Sequence, residues 1–227
     1  MDKDKILSIG AVVLVVVAVA LYGFFGMKKS ETPVVADAPS VAKVNGVAIA
    51  KTDYDTQLAS AIAAYKAQGV NVDDPARLTE IKTQVLNDLV NNELVMQGIT
   101  AAGITAAPAD VETQYQAILT QAGGIDKLKT QMVTANITEA QLRENIAKQL
   151  RVQDYLLKNV DVSTLTVTDA EIEKFYKDNS VGQTNVPPLK DVKEQIKQQL
   201  LTTKQQELIN KFIETLRAKA QIETSTV

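Results

Sequence analysis

Three acidic groupings have the residue types that general acid/base work or a divalent cation would need: Asp73-Asp74, Asp169 with Glu171 and Glu173, and Asp191 with Glu194. Paired carboxylates can share a proton or supply oxygen ligands. Each grouping, however, falls at the first turn of a segment with helical periodicity, where carboxylates accept from free N–H groups and complement the helix dipole. They are read as helix caps, with no catalytic and no metal-binding residue assigned. The chain has no His and no Cys. That excludes Ser-His-Asp and Cys-His nucleophile systems, CxxC redox centres and ordinary structural zinc sites. No cofactor is expected.

The larger or polarizable side chains Tyr115, Met132, Tyr155, Phe175, Tyr176 and Phe212 could line an apolar groove. Each also stands at helical spacing, where the same side chain serves as core. For any single residue core packing is the favoured reading, and the groove belongs to the domain as a whole.

The elements that would position them follow from the pattern of the chain. Val41 to Val44 and Val47 to Ile49 flank Asn45-Gly46, a hairpin signal because both turn residues tolerate positive φ. Thr52 and Asp55 stand in a capping relation ahead of Tyr54, Leu58, Ile62 and Tyr65, with Gly69 ending the pattern. Asp74-Pro75 reads as an N-cap and first-turn proline. Behind it Leu78, Ile81, Val85, Leu89, Met96 and Ile99 mark one helix face, and Leu86, Val90 and Leu94 a second. Pro108 opens a helix with Val111, Tyr115, Ile118 and Leu119 that stops at Gly123-Gly124, and a short piece with Ile125, Leu128 and Met132 follows.

Thr138 and Gln141 form a capping box before Leu142, Ile146, Leu150 and Leu157; the cap accounts for Thr138 without the glycosylation sequon Asn136-Ile-Thr138. Asp161 to Val167 is β-branched and read as extended. Thr168 and Glu171 form a second box before Ile172, Phe175 and Tyr176. The pattern breaks at Asp178, and residues 177–188 read as a short loop. From Leu189 a last long helix passes Val192, Ile196, Leu200, Leu208, Phe212 and Leu216, and Ile222 to Val227 turns β-prone. Its apolar positions lapse at Thr202-Thr203, too soon for a coiled coil. The total is about six helices with a small β element, an all-α domain over residues 41–227.

Ahead of that domain, Ile6 to Phe25 is uncharged and apolar. As a helix it covers about 30 Å, the thickness of a bilayer's hydrocarbon core, so residues 6–26 are read as a transmembrane helix in contact with the lipid bilayer. Lys3 and Lys5 precede it and Lys28 and Lys29 follow, so charge alone does not orient it. The run is long for a signal peptide, and the small-x-small triplet Ala36-Asp37-Ala38 lies far beyond it, which favours an uncleaved anchor. Residues 27–40, with Pro33 and Pro39, have linker composition. The formal charge is −3, and the segments flanking the apolar run hold more Lys than Asp, so the remainder is more acidic still. A nucleic-acid partner would call for the opposite sign.

Several of these features together resemble one family. Val-Ala-Lys-Val-Asn-Gly at 41 to 46 followed by Ile49, Leu86-x-x-Leu89-Val90, Gly123-Gly124, Ile137-Thr-Glu-x-x-Leu-Arg-Glu-Asn-Ile at 137 to 146 with Gln149-Leu150, and Val167-Thr-Asp-Ala-Glu-Ile-Glu-Lys-Phe-Tyr at 167 to 176 resemble the SurA N-terminal domain of SurA, PrsA and PpiD-like chaperones. In that family the segment after the second capping box leads into a parvulin-type prolyl isomerase domain, and a long helix then returns. Here twelve residues separate Tyr176 from Leu189, and the paired histidines of parvulin sites have no counterpart.

The resemblance therefore implies a chaperone without catalysis, holding unfolded or newly translocated polypeptides, with the six groove candidates as contacts for such clients. It also implies residues 1–5 in the cytoplasm, the folded domain outside it in the periplasm or extracellular space, and protein translocation machinery as a further partner. Two alternatives follow from the same resemblance: a prolyl isomerase-related protein with residual or lost activity, and a scaffold subunit that binds one fixed translocon or envelope partner.

Overall fold

The hairpin forms where Asn45-Gly46 places it. In the computed structural model, which describes residues 39–181 and 186–225, strands β1 (Ser40–Val44) and β2 (Val47–Ala50) pair antiparallel with Val44 opposite Val47. Asn45 and Gly46 sit at φ 52° and 83°, the left-handed pair that a two-residue turn requires. The register shifts between Ser40 and Ala42, so Val41, Ala42 and Val44 are all buried. The β-prone end of the chain supplies β3 (Ile222–Thr224), antiparallel on the other side of β1, giving the sheet order β2-β1-β3.

Seven helices lie between β2 and β3 among the described residues. Helix α1 (Lys51–Ala67) starts directly at the end of β2. Thr52 is thus already inside the first turn, and the expected cap does not form; Asp55 instead pairs with Lys51 at 2.7 Å. Helix α2 (Pro75–Ala101) begins as its Asp-Pro signal predicts, with the Asp74 carboxylate accepting from the Ala76 N–H at 2.8 Å. Helix α3 (Pro108–Ala122) ends at Gly123, φ 82°, and α4 (Ile125–Thr134) follows Gly124 as the short helical piece expected there.

Both capping boxes close in full. Thr138 and Gln141 open α5 (Glu139–Asn159), and Thr168 and Glu171 open α6 (Asp169–Ser180). Residues 161–167 between them form no strand. The Asp161 carboxylate takes the N–H and the hydroxyl of Ser163, a local turn that competes with extended backbone. Helix α6 runs two residues past Asp178, to Ser180. Helix α7 (Leu189–Lys219) is continuous through Thr202-Thr203, whose hydroxyls donate back to the Gln198 and Gln199 carbonyls.

Apolar packing has three centres. The sheet, α1, the first two-thirds of α2 and the end of α7 enclose Val41, Val44, Tyr54, Ile81, Val90 and Leu94, with Leu216 and Ile222 against them. Both predicted stripes of α2 are used, since Ile81, Val85 and Leu89 are buried together with Val90 and Leu94. The second half of α2 meets α5 and α7 around Val95, Ile99, Tyr155, Leu156 and Ile209. A third centre joins α3, α4 and the start of α5.

Helix α6 packs on α7 and buries Ile172. The domain is therefore mainly helical with a small antiparallel sheet, as its periodicity predicts. The apolar run assigned to a membrane span lies outside the described residues; among those described, no helix is long and apolar enough to cross a membrane.

Candidate functional site

The acidic groupings resolve into helix ends. Asp74 caps α2, and Asp169 pairs with Lys193 at 2.9 Å. The Glu171 carboxylate accepts from the Thr168 N–H at 2.8 Å while Lys204 reaches it at 2.6 Å. The Lys204 ammonium and then the Thr168 N–H hold its carboxyl at about 2. Lys204 also donates to the Thr166 carbonyl at 2.7 Å, so one side chain of α7 fixes both the approach to α6 and its first turn. Among the described residues no three His, Cys, Asp or Glu side chains are grouped to hold a metal ion.

The six groove candidates fall in three places. Tyr115 and Met132 are buried with Leu128, Leu142 and Ile146 where α3, α4 and α5 meet. The guanidinium of Arg143 covers the Tyr115 ring, 3.9 Å from its centroid, and pairs with Glu112 at 2.6 Å and Glu139 at 2.9 Å. Burial pushes the Tyr115 phenol up. Tyr155 is also interior, tilted against Phe212 with centroids 5.6 Å apart, and Phe212 is half-buried at the α2–α5–α7 junction.

Phe175 and Tyr176 are half-buried on α6, and the Tyr176 hydroxyl donates to the Pro187 carbonyl at 2.8 Å. The structure thus brings Tyr155 to Phe212 and puts Phe175 next to Tyr176. It does not bring the six into one groove, and Tyr115, Met132 and Tyr155 are core in the described conformation.

The exposed apolar surface comes from residues the periodicity did not single out for it. Val133 on α4 is 79% exposed and Val181, past α6, 82%. Ile125, Leu157 and Tyr65 are 40%, 41% and 37% exposed. Leu157 was expected on the buried face of α5; Leu156 takes that place because Tyr155 and Leu156 face the α2–α7 junction.

An open depression of about 320 Å³ lies over one face of α2, lined by Glu93, Met96, Gln97, Thr100 and Ala101. Met96 also packs against the junction core beneath. On the rim, Gln97 donates to Glu93 at 2.8 Å and to the Val44 carbonyl at 2.9 Å, and accepts from the Asn45 amide at 2.8 Å. Met96 and Ala101 give the depression apolar surface beside the Gln97 amide and the Glu93 carboxylate, a mixed lining that suits reversible, non-covalent contact. The spacing of 93, 96, 97, 100 and 101 would have revealed a shared face, but not that, among the described residues, the depression is lined by α2 alone.

A sequence model of the SurA-like N-terminal domain matches residues 2–156. The chain belongs to the SurA-like N-terminal domain family. The matched stretch of this SurA-like chain ends inside α5, and α7 with β3 returns to the sheet that the matched part opens. Helices α6 and α7 are joined by the short segment 181–188, with no parvulin domain between them.

Two sequences named Foldase protein PrsA, from Clostridium kluyveri strains, are each 28% identical over 192 residues, covering 77% of this chain and 56% of their own length. The chain therefore spans about half the length of these curated relatives. A solved structure from Campylobacter jejuni superposes with a TM-score of 0.54 at 14% identity, covering 84% of this chain and 100% of that one. It comes from work on the virulence factor PEB4 and the periplasmic protein Cj1289, described as two structurally related SurA-like chaperones. At that identity the likeness is one of fold.

Proposed function

We propose that this SurA-like chain is a membrane-anchored chaperone that works outside the cytoplasm, binding unfolded or newly translocated polypeptides without catalysis. Family membership across residues 2–156 supports the chaperone part of the reading, as do the names of its relatives, a foldase and a pair of SurA-like chaperones; the anchor rests on the apolar run, and the absence of catalysis on the missing histidines and the short segment 177–188. Binding would be the reversible burial of client apolar surface, worth about 25 cal/mol per Å². Apolar side chains dispersed over α1, α4 and α5 and the uncovered face of α2 favour many weak contacts over one deep pocket. The apolar run Ile6 to Phe25 lies within the family-matched stretch. As an anchor it would raise the local concentration near a translocation channel, on a linker of about fourteen residues with a reach of roughly 50 Å.

The purified chain should suppress aggregation of several chemically unfolded clients at modest molar ratios. It should also leave the rate of a proline-limited refolding reaction at its uncatalysed value, tens to hundreds of seconds. Failure to suppress aggregation of any client would overturn the chaperone reading. Accelerated refolding would favour the isomerase alternative, and capture of a single stoichiometric partner the scaffold alternative.

A further inference from the structure

We propose that Asn45 is a site of spontaneous deamidation whose reactivity is governed by the C-terminal strand. Asn45-Gly46 is the sole Asn-Gly pair in the sequence, and both residues are exposed at the tip of the hairpin. A glycine after asparagine leaves the next peptide nitrogen sterically open. The Gly46 nitrogen can attack the Asn45 Cγ, forming a C–N bond as the C–N bond of the carboxamide breaks. The amide proton of Gly46 leaves with the departing NH₂ as ammonia. Water then opens the five-membered succinimide to aspartate or isoaspartate, so no reactant beyond water is needed.

In the folded chain both ends of that carboxamide are occupied. Its oxygen accepts from the Gln221 N–H at 2.9 Å, and its nitrogen donates to Gln97 Oε1 at 2.8 Å. The Asn45 N–H also donates to the Gln221 carbonyl at 2.8 Å. The side chain is therefore tied to the residue before β3 and to α2, while φ values of 52° and 83° fix the turn. Ring closure requires the carboxamide to leave both partners. Strand β3 is three residues long and stands at the edge of the sheet, where local opening takes least free energy.

Each product makes a transient opening permanent. Isoaspartate lengthens the main chain at a turn that fits two residues. Aspartate exchanges the amide donor for an acceptor facing Gln97 Oε1, with Glu93 the next group along. The hairpin tip thus records how often the C-terminal strand has come away, independently of any client.

The full chain is incubated at mildly alkaline pH and Asn45 is followed by peptide mapping for aspartate and isoaspartate. Four arms are compared: wild type, Gln97→Leu, Gln221→Pro, and wild type in urea. Gln97→Leu removes the acceptor for the amide nitrogen, and Gln221→Pro removes the donor to the amide oxygen. Asn179-Ser180, at the C-terminal end of α6 with the Asn179 amide donating to the Phe175 carbonyl at 2.8 Å, is the internal control.

The urea arm should react fastest, and each variant should react about five-fold faster than native wild type, the scale set by losing one neutral hydrogen bond. The control should not differ between native arms. Native wild type reacting as fast as the urea arm, Gln97→Leu reacting no faster than wild type, or no product at Asn45 in urea would each overturn the proposal. Should Gln221→Pro lose its helical circular dichroism, the Gln97→Leu arm decides.

Discussion

Tyr155 fills the space that a side chain at position 98 would need: a Cβ built on Gly98 overlaps the Tyr155 hydroxyl and comes within 3.0 Å of the ring's Cε1. Helix α2 can lie against α5 here because residue 98 has no side chain. The tilted contact of Tyr155 with Phe212 carries the same close packing on to α7.

Gly98→Ala should therefore destabilise the domain by about 1–2 kcal/mol, since overpacking outweighs the gain in helix propensity. Adding Tyr155→Leu should relieve the clash, leaving the double variant less destabilised than the sum of the two single variants in a urea-unfolding cycle. Additive effects of the two substitutions would contradict this packing.

Arg217 joins α7 to α2, the two longest helices among the described residues. Its guanidinium donates to Asn91 at 2.8 Å and to Asn87 at 3.2 Å, two carboxamides one turn apart on α2. Arg217→Met should lower stability by about 2 kcal/mol, the range for hydrogen bonds to a charged group. Arg217→Lys should recover less than half, because an ammonium cannot present the planar fork. Chemical denaturation of the two variants measures this, and full recovery by lysine would show that charge alone matters.

The Glu171 carboxyl is held at about 2 against an ordinary 4.5, first by Lys204 and then by the Thr168 N–H. The unfolded chain takes up this proton more readily than the folded one. The contribution is therefore complete above pH 4.5 and disappears as the pH falls toward 2. Glu171→Gln keeps a capping side chain but has nothing to titrate. The stability difference between wild type and Glu171→Gln should shrink steadily across that window. A pH-independent difference would mean that Lys204 does not sense the charge.

The placement of the aromatic residues separates client contact from core. A photocrosslinking residue at Phe175 or Tyr176, half-buried on α6, should capture many different polypeptides in cells, as should one at Val133. The same probe at Tyr115, 4% exposed, should crosslink within the chain. Equal capture from Tyr115 and Phe175 would require the α3–α5 core to open when clients bind.

What was legible in the sequence was what depends on neighbours along the chain. Asn45-Gly46, Asp74-Pro75, the Thr138 and Thr168 boxes and Gly123-Gly124 each fix local backbone geometry, and each element boundary they imply is present. Thr52 failed as a cap because β2 runs straight into α1, a junction that tertiary pairing sets. The candidate site was less legible because periodicity finds the apolar face of a helix without naming its neighbour. Tyr115 and Phe175 look alike in sequence; one lies beneath Arg143 in a three-helix core and the other, half-buried, on a helix that packs mainly on α7 among the described residues. The uncovered face of α2 was invisible for the same reason.

The central strand β1 has its hairpin partner from the start, but its other partner is encoded at residues 222–224. A chain that emerges N-terminus first cannot complete this sheet until residues 222–224 have been delivered. Closing so large a loop is slow compared with forming helices. For that interval the apolar face around Val41 and Val44 is itself incomplete, and the nascent protein shares the predicament of the polypeptides it is proposed to shelter.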